Sequence, residues 1–192
     1  IDPTSSYAMA AAAAMGRAMD DEIIAAATGT AFTGETGSTS TALPAGQQIA
    51  AGGTDLTVAK LREAKKILDL SDVDPSIPRY IACGPEQIDA LLGDTNVTSS
   101  DFNTVKALVQ GEVNQFMGFN FIMTNRLAKS GDNRTCFAWC EDGLALAIGK
   151  DVNARIDERA DKGYATQVYY CMSVGATRME EDKVVQILCD ES

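Results

Sequence analysis

The stretch "YAMAAAAAMGRAMDDEIIAAATG", residues 7–29, decides how the rest of the chain is read. Its apolar run from Tyr7 to Met15 is followed at once by Arg17, Asp20, Asp21 and Glu22. A helix crossing a bilayer needs about 20 apolar residues, so this run does not span one. A secretory signal needs a positively charged leader, and the preceding "IDPTSS" has no positive side chain. A water-exposed helix fits better. Alanine is the best helix former, with Met, Arg and Glu close behind. Pro3 and the Thr4-Ser5-Ser6 cluster mark a start, with Ser5 or Ser6 as the capping hydroxyl, and Gly29 marks a stop. Arg17 can reach Asp20 and Asp21 at i+3 and i+4. Met15, Met19 and Ile23 form a stripe that Ala8, Ala11 and Ala12 extend backwards. From Ser6 to Thr28 such a helix is about 35 Å long. Its alanine half has no bulk on any side, so neighbours can approach the backbone closely.

The 192 residues are 45% hydrophobic and 22% charged, enough to bury a sizeable core. Twenty-seven acidic against 16 basic residues give a net charge of −11. That balance argues against binding nucleic acid through a broad basic surface, because such binding needs Lys and Arg to displace phosphate counterions. There is no histidine, which removes the commonest general base and metal ligand. Five cysteines, at 83, 136, 140, 171 and 189, are an odd number in a chain that is not small. They read as reduced, half-buried small hydrophobes rather than a disulfide framework. The chain starts at Ile1 rather than Met, as in a processed product or a fragment.

Downstream of the helix, residues 30–54 are rich in Gly, Thr, Ser and Ala and read as a long surface loop. Thr57 then opens "VAKLREAKKILDL", where Val58, Leu61, Ala64 and Ile67 (with Leu68) recur at helical spacing. Its Lys60, Arg62, Lys65 and Lys66 are expected on a solvated face. "RYIACGP" reads as a buried strand, and Pro85 opens the helix "PEQIDALLGD" at a favoured first position. "SSDFNTVKALVQG" reads as another short helix, and "EVNQFMGFNFIMTN" as two strands meeting at Met117-Gly118. From Thr135 the texture is mostly β: "TCFAWC", "VNARIDE", "YATQVYYCMSVGATR" and "KVVQILC". "EDGLALAIGKD" fits either period. No internal repeat stands out. The sum is α+β, helix-rich first and strand-rich last.

No catalytic constellation emerges. On a helix, the consecutive Asp20, Asp21 and Glu22 point in different directions, so an Arg17-paired solvated face is expected there. Asp151, Asp157, Glu158, Asp161 and the run Glu180-Glu181-Asp182 lack the spacing of a metal loop. No phosphate-binding loop or Ser-nucleophile motif is present. Without histidine, a Cys-His or Ser-His nucleophile is excluded within this chain. The sharpest chemical alternative is a metal site at Cys136-Phe-Ala-Trp-Cys140, whose three-residue gap is not the usual zinc spacing. The sequence therefore predicts no catalytic, cofactor-binding or metal-binding residues, and a structural rather than enzymatic protein.

The order of segments resembles the major capsid proteins of tailed bacteriophages and prophages, with the Hong Kong 97-type shell fold. The carriers are "RAMDDEIIAAATGTAFTGE", then "LTVAKLREAKKIL", "RYIACGPEQIDALL" and "FMGFNFIMTNRL", and finally "YATQVYYCMSVGATRMEEDKVVQIL". The resemblance implies a long spine helix at about 6–28 in a peripheral domain of residues 1–55 and 164–192, together with the C-terminal strands. It implies an axial domain with a central sheet over 56–163. The family's N-terminal arm and extended loop are expected to be missing from this chain. The implied function is a structural subunit of an icosahedral shell, self-associating in hexamers and pentamers. The shell would enclose DNA without sequence-specific contacts or a membrane, assembling in the host cytoplasm to become part of the virion. A cellular nanocompartment shell of the same fold is the alternative. A cysteine-dependent enzyme or metal protein stands behind both.

Overall fold

A computed structural model describes residues 3–93 and 115–192. The helix expected in "SSDFNTVKALVQG" lies outside them. Helix α1 runs from Pro3 to Thr28, so Ser5 and Ser6 sit inside its first turn rather than at its cap. Proline suits a first turn, where its missing N–H has no partner to lose. The helix half-buries Ala8, Ala11, Met15, Ala18, Met19, Ile23 and Ile24 and fully buries Ala27. This is the expected stripe, except that Ala12 is exposed. The helix ends where the Gly29 N–H donates to the Ala25 carbonyl at 2.9 Å. A side chain at Gly29 would lie 2.4 Å from that same oxygen.

The stretch 30–54 is not plain loop. It holds the hairpin β1 (Ala31–Thr33) and β2 (Thr39–Thr41), then the short strand β3 (Gln48–Ile49). Ile49 is buried, and burial of one apolar residue in a polar stretch is enough to dock a two-residue strand. Helix α2, Val58–Leu70, is capped by the Thr57 hydroxyl, which accepts from the Lys60 N–H at 3.4 Å. It buries Leu61, Ala64 and Leu68 as its periodicity requires.

The core is a seven-stranded mixed sheet. Strands β4 (Arg79–Cys83), β5 (Gln115–Phe116), β6 (Phe119–Met123), β7 (Lys129–Ser130), β8 (Asn133–Cys140) and β11 (Val184–Asp190) join β3 in it. The order is β3-β11-β8-β4-β6-β5, with β7 on β8. Helix α3, Pro85–Gly93, follows β4. The β5–β6 turn places Met117 and Gly118 both at positive φ, 52° and 87°, the pair of conformations a two-residue hairpin turn demands. Ile81, Phe119, Phe137, Val184, Val185 and Ile187 pack with Leu61 and Leu68 of α2 in one core.

Two very long strands stand apart from that sheet. β9 (Leu144–Arg159) and β10 (Ala165–Arg178) pair antiparallel as a two-stranded ribbon. The ambiguous "EDGLALAIGKD" is thus the start of β9. The division expected at residue 163/164 falls in the turn of this ribbon, between strands that are bonded to each other. β11, expected in the peripheral domain with α1, pairs inside the central sheet between β3 and β8. Its near-continuous buried run, Val184, Val185, Ile187 and Cys189, suits a strand flanked on both sides.

Candidate assembly interface

The helix α1 lies along the ribbon, chiefly over β10. Side chains directly opposite in an antiparallel pair share a face. Leu146, Ile148, Ala154 and Ile156 of β9 stand opposite Ala176, Val174, Tyr170 and Val168 of β10, so the middle of one ribbon face is apolar, bounded by Glu158 and Thr166 near the turn and by Arg178 at the other end. The β10 members are half-buried, whereas Leu146, Ile148 and Ile156 remain 40%, 53% and 46% exposed. The other face carries Lys150, Asn153, Arg155, Asp157, Gln167, Tyr169 and Cys171, which line a shallow groove. There the Lys150 ammonium beside Cys171, helped by Tyr169, holds the thiol below its ordinary range.

Three polar joints hold these elements and the C-terminus in place. Arg178, at the end of β10, is fully buried and donates to the carbonyls of Ala27 (3.2 Å), Gly29 (2.8 Å) and Thr41 (3.1 Å). It ties the C-terminus of α1 and the β1–β2 hairpin to the ribbon. A guanidinium suits helix-end carbonyls, which carry the negative end of the helix dipole. Burial pushes its pKa down, and the Glu181 carboxylate 4.0 Å away opposes that shift. Asp21 takes a bidentate bond from Arg126, in the turn after β6, and that bond holds its carboxyl below the usual range. Arg17 adds only a weaker charge attraction there, so the expected Arg17 pairing is not the one that dominates. At the C-terminus, Glu191 accepts from Arg134 and Lys129 and from Gln87 at 3.0 Å. Chiefly through Arg134, its pKa is lowered to about 2.

Lys60 departs from expectation too. It is buried, and its Nζ donates to the carbonyls of Ala51 (2.8 Å), Thr54 (2.6 Å) and Leu188 (2.9 Å). A residue of the supposed solvated face is therefore a clamp between the 51–54 turn and β11.

The cysteine alternative does not assemble into a site. Cys136 and Cys140 are both fully buried on β8, and four residues along a strand separate them by about 13 Å, too far to share an ion. The free thiol of Cys136 is hydrogen-bonded with that of Cys189 and neighbours Cys83. Its thiol is pushed up by that bond and by burial, and burial raises Cys83 to about 12. Thiols held protonated are poor metal ligands and nucleophiles. Among the described residues, no group of three or more Cys, Asp or Glu could hold a metal. Of the acids at 180–182, Glu180 pairs with Lys183 at 3.2 Å, and Asp182 accepts from the Gln47 side chain, 135 residues away in the chain, at 3.3 Å. A cleft of about 810 Å³ beside α2 contains Arg79, which is paired with Asp69 at 2.7 Å.

The fold is thus a long helix laid on a long ribbon beside a mixed sheet. Solved structures share it. The capsid of cyanophage P-SCSP1u is 20% identical with a TM-score of 0.69, over 100% of this chain and 67% of that one. The capsid of cyanophage Pam1 is 15% identical with a TM-score of 0.70, over 100% and 70%. The holo-SrpI encapsulin of Synechococcus elongatus is 11% identical with a TM-score of 0.58, over 93% and 62%. This chain thus spans about two-thirds of the length of the chains it matches. The family model described as phage capsid protein matches residues 1–191, and the chain belongs to that family. It is a phage capsid protein, a structural component of a virion shell. No curated protein matches it significantly. Among the described residues no helix is long and apolar enough to cross a membrane.

The sequence located α1 and the strands of the ribbon but named no interface residues. The alternation of Leu146, Ile148, Ala154 and Ile156 was the available signal. Lys150 masks it, because strict alternation places that lysine among them.

Proposed function

We propose that this protein is the structural subunit of an icosahedral shell that encloses DNA, built from hexameric and pentameric rings. The family match across residues 1–191 is the observation that carries this reading. The body with the central sheet, residues 56–143 joined by β3 and β11, serves as the axial part that meets at the ring centre. Helix α1 and the ribbon serve as the peripheral part. The net charge of −11 lets the shell hold DNA without adhering to it or reading its sequence. The subunit has no catalytic, cofactor or metal role, and it assembles in the host cytoplasm. Electron microscopy of the full-length gene product is expected to show shells, hexamers or pentamers. A strictly monomeric product under all assembly conditions contradicts the proposal.

The likeness to an encapsulin supports a second reading, a nanocompartment shell around an enzyme. The contents of shells purified from the native source separate the two. Nucleic acid supports the phage reading, and a protein cargo supports the compartment.

A further inference from the structure

From the cleft beside α2 we infer that Arg79 anchors a binding site for a short-chain monocarboxylate. The inference goes beyond the shell reading and does not rest on it. Three observations carry it.

The first is an incompletely bonded guanidinium. Arg79 opens β4, which lies between β6 and β8, and its side chain is only 6% exposed. A guanidinium is donor on every edge and accepts nothing. Nη1 pairs with Asp69 at 2.7 Å, while Nε and Nη2 are buried with no partner among the described residues. The residues paired with Arg79 on the flanking strands are Phe119 and Cys140, whose side chains supply no oxygen. Buried polar groups left without a partner are rare, and ionised ones are the most costly.

The second is what meets the same edge elsewhere in the chain. Arg126 turns Nε and Nη2 to the carboxylate oxygens of Asp21, Arg134 to those of Glu191, and Arg159 to those of Asp161. That edge matches a carboxylate, each N–H meeting one oxygen. Arg79 presents the same edge, and among the described residues no acid of its own chain reaches it.

The third is the cleft that Arg79 lines. Its volume of about 810 Å³ is that of a small-molecule site. Val73, Ile77, Pro78 and Met117 give it an apolar wall, suited to a short aliphatic body. The exposed Asp72 and Asp74 line it as well. The Ser76 N–H donates to the Asp74 carboxylate at 2.8 Å and holds its pKa below the usual range, so Asp74 stays ionised. Beyond the Arg79–Asp69 pair, Lys65 is the one cation facing these two acids in the wall. The balance disfavours a phosphate dianion or an acidic protein surface and admits a singly charged carboxylate. Because Nε and Nη2 are buried, the ligand reaches them by displacing part of the wall, and the exposed stretch from Asp74 to Ser76 lies outside helix and sheet.

The test titrates sodium butyrate into the unassembled full-length protein at constant ionic strength. It follows the nitrogen–proton NMR signal of the Arg79 Nε–H, assigned by its loss in Arg79→Lys. The expected result is a saturable shift, absent with sodium chloride and weaker with inorganic phosphate. Arg79→Lys keeps the charge without the planar fork and is expected to abolish magnetisation transfer from protein to the butyrate methyl. A second variant leaves the buried arginine in place. Asp72→Asn with Asp74→Asn changes only exposed side chains, and Asn tolerates the φ of 54° at position 72. It is expected to tighten butyrate binding about threefold, the scale of exposed charge effects. No saturable shift with butyrate overturns the inference, as when the donors hold only water. An equal shift with chloride, tighter binding of phosphate, or a double variant that binds butyrate no more tightly overturns it as well. None of these outcomes bears on the shell reading.

Discussion

The seven-stranded sheet and the β9–β10 ribbon are both β-structure, but they are stabilised differently. In the sheet, β11 and β8 bury Val184, Val185, Ile187, Cys136, Phe137 and Ala138 against their neighbours and against α2. The ribbon has 16- and 14-residue strands, yet Arg178 is its only fully buried side chain. The sheet carries its own core, whereas the ribbon borrows one from α1. The comparison teaches that strand length and strand stability are separate properties. Length gives reach, and stability depends on what covers the faces.

The comparison is sharpest where the largest energies lie. Replacing Phe119 by Ala in the sheet removes a fully buried ring and is expected to cost about 3–5 kcal/mol, read by urea unfolding of the unassembled protein. A loss under about 1 kcal/mol would mean the sheet is less tightly packed than described. Next is the joint that ties α1 and the β1–β2 hairpin to the ribbon. Arg178→Met removes three hydrogen bonds to buried carbonyls and is expected to cost about 3 kcal/mol. Proteolysis between Gly29 and Thr41 should speed up at the same time. Unchanged cleavage would show that α1 is held to the ribbon by other means.

The C-terminal network comes third. Glu191 is lowered from 4.5 to about 2 on folding, so its contribution is fully present above about 4.5 and is lost as pH falls towards about 2. Glu191→Gln is expected to cost about 2 kcal/mol at neutral pH, and its difference from wild type should shrink across that window. A difference independent of pH would contradict the charge pairing with Arg134 and Lys129. The smallest perturbation is chemical. Cys171 is half-exposed with a lowered pKa, while the other four thiols are buried. It should react with a maleimide at least about tenfold faster than the rest, as peptide mapping would show. Fast labelling at Cys83, Cys136 or Cys189 would instead reveal opening of the sheet.

Elements with strong local signals were legible in the sequence. The alanine-rich helix, the Thr57-capped α2, the Pro85 start of α3 and the Met117-Gly118 turn follow from propensity, capping and turn chemistry within a few residues. What escaped depends on residues far apart in the chain. Asp21 meets Arg126 across 105 residues, and Lys60 reaches the Leu188 carbonyl across 128. Neither contact leaves a periodic trace. β11 reads as a strand from its composition, but only the pairing of β8 with β11 determines which sheet receives it. The apolar face of β9 was hidden for a different reason. Alternation assumes an unbroken register, and two bulges reverse it around Lys150. For the cysteines, composition suggested half-buried small hydrophobes, whereas four of the five are buried and only Cys171 is half-buried. The capsid family itself was readable from the order of segments.

Amide hydrogen exchange on the unassembled subunit and on assembled shells tests the central claim most directly. Our account predicts that the sheet strands β4, β8 and β11 exchange slowly in both states. It predicts that the β9 amides from Leu146 to Ile156 exchange rapidly in the free subunit and become strongly protected on assembly. Ribbon protection that is the same in the two states would contradict it.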